Sequence, residues 1–92
     1  MSPSRVYRDA EIFPEVKVII VRLTKSGEKQ VVPGARFIQD LGCDSLDVVE
    51  IVMECEDGFG IEIGDDEMEK VKAVQDRVTE VKALLKKQQR LS

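Results

Sequence analysis

Apolar residues recur at helical spacing in three separate stretches of this chain, and nowhere do they alternate over the length of a strand. Val16, Ile19, Ile20 and Leu23 stand at i, i+3, i+4 and i+7. Ile51, Val52, Cys55 and Phe59 form a second stripe, and Val74, Val78, Val81 and Leu85 a third. A helix with such a stripe must bury it against another element. Without an alternating run or an internal repeat, the pattern predicts an all-α fold. This is a small four-helix bundle of three longer helices and one short helix, with a long loop between the first two. A chain of 92 residues supports one modest core. A single domain over residues 1–92 is therefore expected, with its helical core at about 12–85 and polar tails. Aromatics are 4% of the residues and there is no Trp, so the core is aliphatic.

Local signals set the expected boundaries. Pro14 suits the first turn of a helix, which should end near Lys25 before Ser26-Gly27. From there through Pro33-Gly34 to Gly42 runs the long connection, tacked to the core by Val31, Phe37, Ile38 and Leu41. The second helix should start at Asp44-Ser45, where either side chain can accept a hydrogen bond from the first-turn N–H groups. It should run to about Asp57 and stop at Gly58. Gly64-Asp65-Asp66 opens the short helix carrying Met68 and Val71. Lys82, Lys86 and Lys87 close the last helix with the sign its dipole favours, and the basic tail after Leu85 is expected to fray.

The net charge of −4 conceals an asymmetry: twelve acids and no Lys or Arg lie from Phe37 to Glu69, so that segment carries −12 and the flanks together +8. A phosphate backbone would be repelled by the middle of this chain, which argues against a nucleic-acid partner. Basic protein surfaces are the natural complement. No apolar run approaches the length of a membrane span. Cys43 and Cys55, with no His and no C-x-x-C, exclude a His-containing zinc site and a disulfide framework, and fit reduced thiols. Cysteine catalysis lacks a base, and nearby acids should raise the pKa of Cys43. An EF-hand loop started at Asp40 would put Ser45 on its glycine position.

Ser45 stands between Asp44 and Leu46 at a helix start, where a lone serine would ordinarily be a cap. Its surroundings say more. The run Phe37-Ile38-Gln39-Asp40-Leu41-Gly42-Cys43-Asp44-Ser45-Leu46-Asp47, followed by Val49-Glu50 and Met53, resembles the phosphopantetheine attachment region of acyl carrier proteins. The likeness continues through Phe59, Glu62-Ile63, Asp65 to Lys70 and Val74-Gln75, covering about Ile12 to Leu85.

That resemblance implies a four-helix bundle whose Ser45 receives a covalent 4′-phosphopantetheine arm from coenzyme A through a separate phosphopantetheinyl transferase. The protein would be a non-catalytic carrier of growing acyl chains as thioesters in fatty acid biosynthesis. A polyketide or other specialised carrier, or an unmodified helical adaptor, is the alternative. Independently of the family, an anion on a serine at a helix N-terminus is stabilised by backbone N–H groups and the dipole. Gly42 would leave room for the transferase.

Leu46 and Met53 fall on a face of the second helix rimmed by acids. The expected docking set for basic patches on the transferase and synthesis enzymes is Asp44, Leu46, Asp47, Glu50, Met53, Glu54 and Asp57. Ile51, Val52, Cys55, Phe59, Ile63 and Val78 are the expected shelter for an alkyl chain. The carrier is expected to be a monomer, without membrane insertion. The bacterial cytoplasm is its expected place, or the mitochondrial matrix or plastid if a transit peptide has been removed. The chain departs from the family at Gly64, where proline is usual, at Arg36, where a small capping residue is common, and at Cys43 and Cys55, often Ala and Leu.

Overall fold

The computed structural model describes residues 5–64 and 70–92. Its first helix, α1, spans Asp9–Leu23 and starts five residues before Pro14, which lies inside it and not in its first turn. Two ties set the earlier start. The Arg8 backbone N–H donates to Glu11 Oε1 at 2.9 Å, and the Arg5 guanidinium pairs with the same carboxylate at 3.2 Å. The added turns bury Ile12 completely, worth about 1.5–3 kcal/mol. That offsets the one backbone hydrogen bond lost at the exposed Pro14.

α2 spans Ser45–Phe59 and α3 spans Val74–Lys87. α1 packs on both of them, and they touch each other. The core is the three stripes read from the sequence: Val16, Ile19 and Ile20 meet Ile51, Val52, Cys55 and Phe59, with Val74, Val78, Val81 and Leu85 closing the third side. Among the described residues there are three α-helices and one 3-10 turn at Glu28–Gln30, with no strand beyond two isolated bridges. The short helix expected at Gly64-Asp65-Asp66 with Met68 falls mainly on residues 65–69, outside the described residues.

α2 does not stop at Gly58. It continues through Phe59, which must stay in helical register to bury its ring, and ends at Gly60, whose φ of 67° is the left-handed conformation open to glycine. The long loop uses Val31 and Phe37 as its buried anchors, whereas Ile38 is 64% exposed. Its carbonyls also cap α3: Val74 N–H donates to Ala35 O at 2.9 Å and Gln75 N–H to Pro33 O at 2.8 Å. Asp76 completes that cap by accepting from the N–H groups of Lys72 and Ala73, both at 3.0 Å. The loop is therefore held against the start of α3, and it delivers the chain to the start of α2.

The segment after Leu85 is not a fraying tail. Tyr7 N–H donates to Arg90 O at 2.8 Å and Ser92 N–H to Tyr7 O at 2.9 Å, joining it to the segment just before α1. The Arg90 guanidinium turns inward and donates to the carbonyls of Phe59 at 2.6 Å, Gly60 at 3.0 Å and Arg5 at 3.0 Å. Tyr7 Oη donates to Gly58 O, and its ring lies 5.1 Å from that of Phe59. These donors satisfy free carbonyls at the end of α2, with Tyr7 buried in the core and Leu91 packed against it.

Candidate functional site around Ser45

The start of α2 divides its tasks between two side chains. Asp44 is the cap: its Oδ1 accepts from Asp47 N–H at 2.9 Å, while Asp47 Oδ2 accepts from Asp44 N–H at 3.2 Å. Ser45, in the first helical position, is left exposed, and its hydroxyl has no hydrogen-bond partner among the described residues. Just before it, Gly42 has φ of 66°, and a Cβ placed there would meet nothing within 4 Å. This glycine supplies a left-handed turn beside open space, and no close approach of two chain segments requires it.

The approach to Ser45 is braced by the segment from Arg36 to Cys43. Asp40 Oδ2 accepts from Arg36 N at 2.8 Å and Arg36 Nε at 3.1 Å, and Cys43 N–H donates to Phe37 O at 2.9 Å. Arg36, a departure from the family pattern, thus holds the turn through its side chain. These ties keep the Asp40 carboxyl below its ordinary pKa, the hydrogen bond from the Arg36 side chain being the largest cause. Phe37 N–H in turn donates to Lys72 O at 3.0 Å, fixing this segment to the approach to α3. A groove of about 410 Å³ runs beside Ser45 between these parts, lined by Phe37, Ile38, Gln39, Val48, Val49, Val71 and Lys72.

The sequence profile of the phosphopantetheine attachment-site family matches residues 14–79. The acyl carrier protein of Helicobacter hepaticus is 47% identical over 73 residues, which is 79% of this chain and 96% of that relative. The chain belongs to the acyl carrier protein family.

Its cofactor is accordingly 4′-phosphopantetheine, and the residues present fit that group. An exposed, unbonded hydroxyl stands at a helix N-terminus where a phosphodiester is favoured, next to open space at Gly42 and a largely apolar groove. Acyl carrier proteins are carriers rather than catalysts. Neither thiol here suits nucleophilic chemistry: burial, then the charges of Asp47 and Asp44, raises the pKa of Cys43, and burial pushes that of Cys55 up to about 12.

The acids anticipated for docking fall into two groups. Glu54 is bound to Arg22 at 2.8 Å and Asp47 to the Asp44 N–H, whereas Glu50 and Asp57 are exposed with no partner among the described residues. Leu46 and Met53, 72% and 58% exposed, share a face with Val49. The six anticipated shelter residues, Ile51, Val52, Cys55, Phe59, Ile63 and Val78, are all buried in one core. Two residues went unanticipated: Arg77, wholly buried in that core, and the partly buried Glu80 beside it, whose carboxylate it contacts. Arg77 sits at i+3 from Val74 and i−4 from Val81, on the apolar stripe itself, and that register is the signal that could have found it.

Proposed function

We propose that Ser45 carries the phosphopantetheine arm and that this protein delivers acyl chains to the enzymes of fatty acid biosynthesis. The carrying observation is the division of labour at the start of α2. Because Asp44 performs the cap, the Ser45 hydroxyl is not needed by the fold and stands free as a nucleophile. In the transfer, Ser45 Oγ attacks the pyrophosphate of coenzyme A at the phosphorus bearing pantetheine. A new P–O bond forms, the pyrophosphate bridge breaks, and adenosine 3′,5′-bisphosphate leaves, while the hydroxyl proton passes to a base of the transferase. This chain contributes the nucleophile and the helix N-terminus that steadies the resulting anion.

Transferase and synthesis enzymes dock through basic patches on Asp44, Leu46, Asp47, Glu50, Met53, Glu54 and Asp57. Glu50 and Asp57 are the acids most available to a partner, because no charge among the described residues engages them. The growing chain shelters among Ile51, Val52, Cys55, Phe59, Ile63 and Val78, reaching them past the groove beside Ser45. The carrier acts as a monomer in the bacterial cytoplasm or an organelle of bacterial descent.

Incubation with coenzyme A and a phosphopantetheinyl transferase should add the mass of one arm, and Ser45→Ala should abolish the gain while keeping the helical circular dichroism. Labelling of Ser45→Ala overturns the assignment. Glu50→Lys should slow loading roughly tenfold at low salt, with the difference shrinking as salt rises.

A further inference from the structure

Arg77 is the largest side chain wholly withdrawn from solvent, at 0% exposure, beside a core of aliphatic, aromatic and cysteine side chains. Its guanidinium contacts the Glu80 carboxylate through Nη1. The Nε and Nη2 donors meet no acceptor among the described residues. Native interiors rarely strand buried donors, and stranding them on a charged group is the costly case. Two such donors, unmet among the described residues, suit an acceptor that a ligand can bring.

The position of Arg77 says what arrives. It lies on the buried stripe of α3 beside Val78, which shares one core with Cys55 of α2. Both of those neighbours belong to the interior assigned above to the acyl chain. A saturated chain there would leave both donors unmatched. A carboxylate would add a negative charge to a pair in which Glu80 already offsets the guanidinium, and burying that excess is expensive. A neutral oxygen meets both conditions.

Resting on the reading of Ser45 as the attachment site, we propose that this carrier selects acyl chains bearing a hydroxyl or keto oxygen, which accepts from Arg77 Nε and Nη2 inside the bundle. Glu80 is a positioning residue that holds the guanidinium. A site built to hydrogen-bond such an oxygen discriminates far more sharply against the analogue lacking it than an apolar pocket does against an added group.

The test begins from the holo carrier, whose mass gain on treatment with coenzyme A and transferase reports the arm. Its thiol is then acylated with a medium-length saturated chain, with the positional series of hydroxy and keto chains of the same length, and with the corresponding terminal carboxylate. Thermal midpoints and the Arg77 Nε–H resonance are read for each. At least one oxygenated position should raise the midpoint above that of the saturated chain and shift the Nε–H signal. In Arg77→Met/Glu80→Leu, which replaces both charges and keeps the volume, the preference should reverse toward the saturated chain. Equal midpoints with an unmoved Nε–H signal, or an oxygen preference that survives the double substitution, overturn the proposal. So does the carboxylate giving the largest shift. Absence of any mass gain defeats the attachment reading itself and this proposal with it, whereas loading without discrimination defeats this proposal alone.

Discussion

Arg90 and Arg77 are both withdrawn from water, but the protein provides for them differently. Arg90 sends its donors to the carbonyls of Arg5, Phe59 and Gly60 and to the side chain of Gln88. Every one of its three nitrogens is used, and in return the end of α2 is fastened to Arg5 and to the last residues after α3. Among the described residues Arg77 has one contact through Nη1 and two nitrogens without an acceptor. A buried cation whose hydrogen bonds are complete is explained by the fold it holds together. One whose bonds are incomplete is not, and its presence in the middle of an aliphatic core asks for a functional reason.

The contrast can be broken most forcefully at Arg77. Arg77→Met removes the guanidinium from beside a nearly buried carboxylate, and urea denaturation should show a loss of about 3–5 kcal/mol. Adding Glu80→Leu should return most of that loss, because replacing both members of a buried ion pair by apolar groups is commonly neutral or stabilising. Recovery identifies a pair that stability alone does not require. If the double variant stays as unstable as the single one, Arg77 is holding the fold together as Arg90 does, and the distinction between them disappears.

At Arg90 the expected effect is smaller and has no such remedy. Arg90→Met deletes hydrogen bonds to three carbonyls, which water can partly replace once the terminus loosens, so about 2–3 kcal/mol should be lost. Its acceptors are mostly backbone, so no second side-chain substitution can remove them. Hydrogen exchange should locate the loss: the amides of residues 5–9 and 88–92 should lose protection while those in the middle of α2 keep it. Uniform loss across the bundle would mean that the clamp is not local.

What could be read beforehand follows from the range of the interactions. The inward register of α2 was legible because Ile51, Val52, Cys55 and Phe59 repeat with the helix period, and the outward placement of Leu46 and Met53 follows from the same geometry. The beginning of α1 was not, because Pro14 offers a strong local start signal while the competing tie joins Arg5, Arg8 and Glu11 before any apolar rhythm begins. Gly58 and Gly60 carry equal local stop signals, and only the burial of Phe59 separates them. Arg90 lies in a basic tail whose composition reads as solvated, and its acceptors are carbonyls remote in sequence. At Ser45 the motif was legible, whereas which of Asp44 and Ser45 caps the helix required the geometry.

Acid offers the mildest test, and it separates the interior pair from the surface ties. Glu11, Asp40 and Asp76 all have carboxyl pKa values lowered below the ordinary range. The leading cause is the Arg8 N–H for Glu11, the Arg36 side chain for Asp40 and the Ala73 N–H for Asp76. A carboxyl whose folded pKa is depressed contributes stability that is fully present above its unfolded value, about 4, and is lost as pH falls through the folded value. Mutual repulsion among the acids from Phe37 to Glu69 predicts the opposite, since protonation would relieve it. The ties should prevail, because each anchors a structural junction: the start of α1, the turn before Ser45 and the cap of α3. The thermal midpoint should therefore fall as pH drops below about 4. To keep the interior ion pair out of the reading, the measurement belongs in the Arg77→Met/Glu80→Leu background. There the interior pair no longer contributes to the acid limb, and Asp76→Asn should flatten it by removing one of the three. A midpoint that rises on acidification in that background would mean that repulsion along the acidic face outweighs its ties.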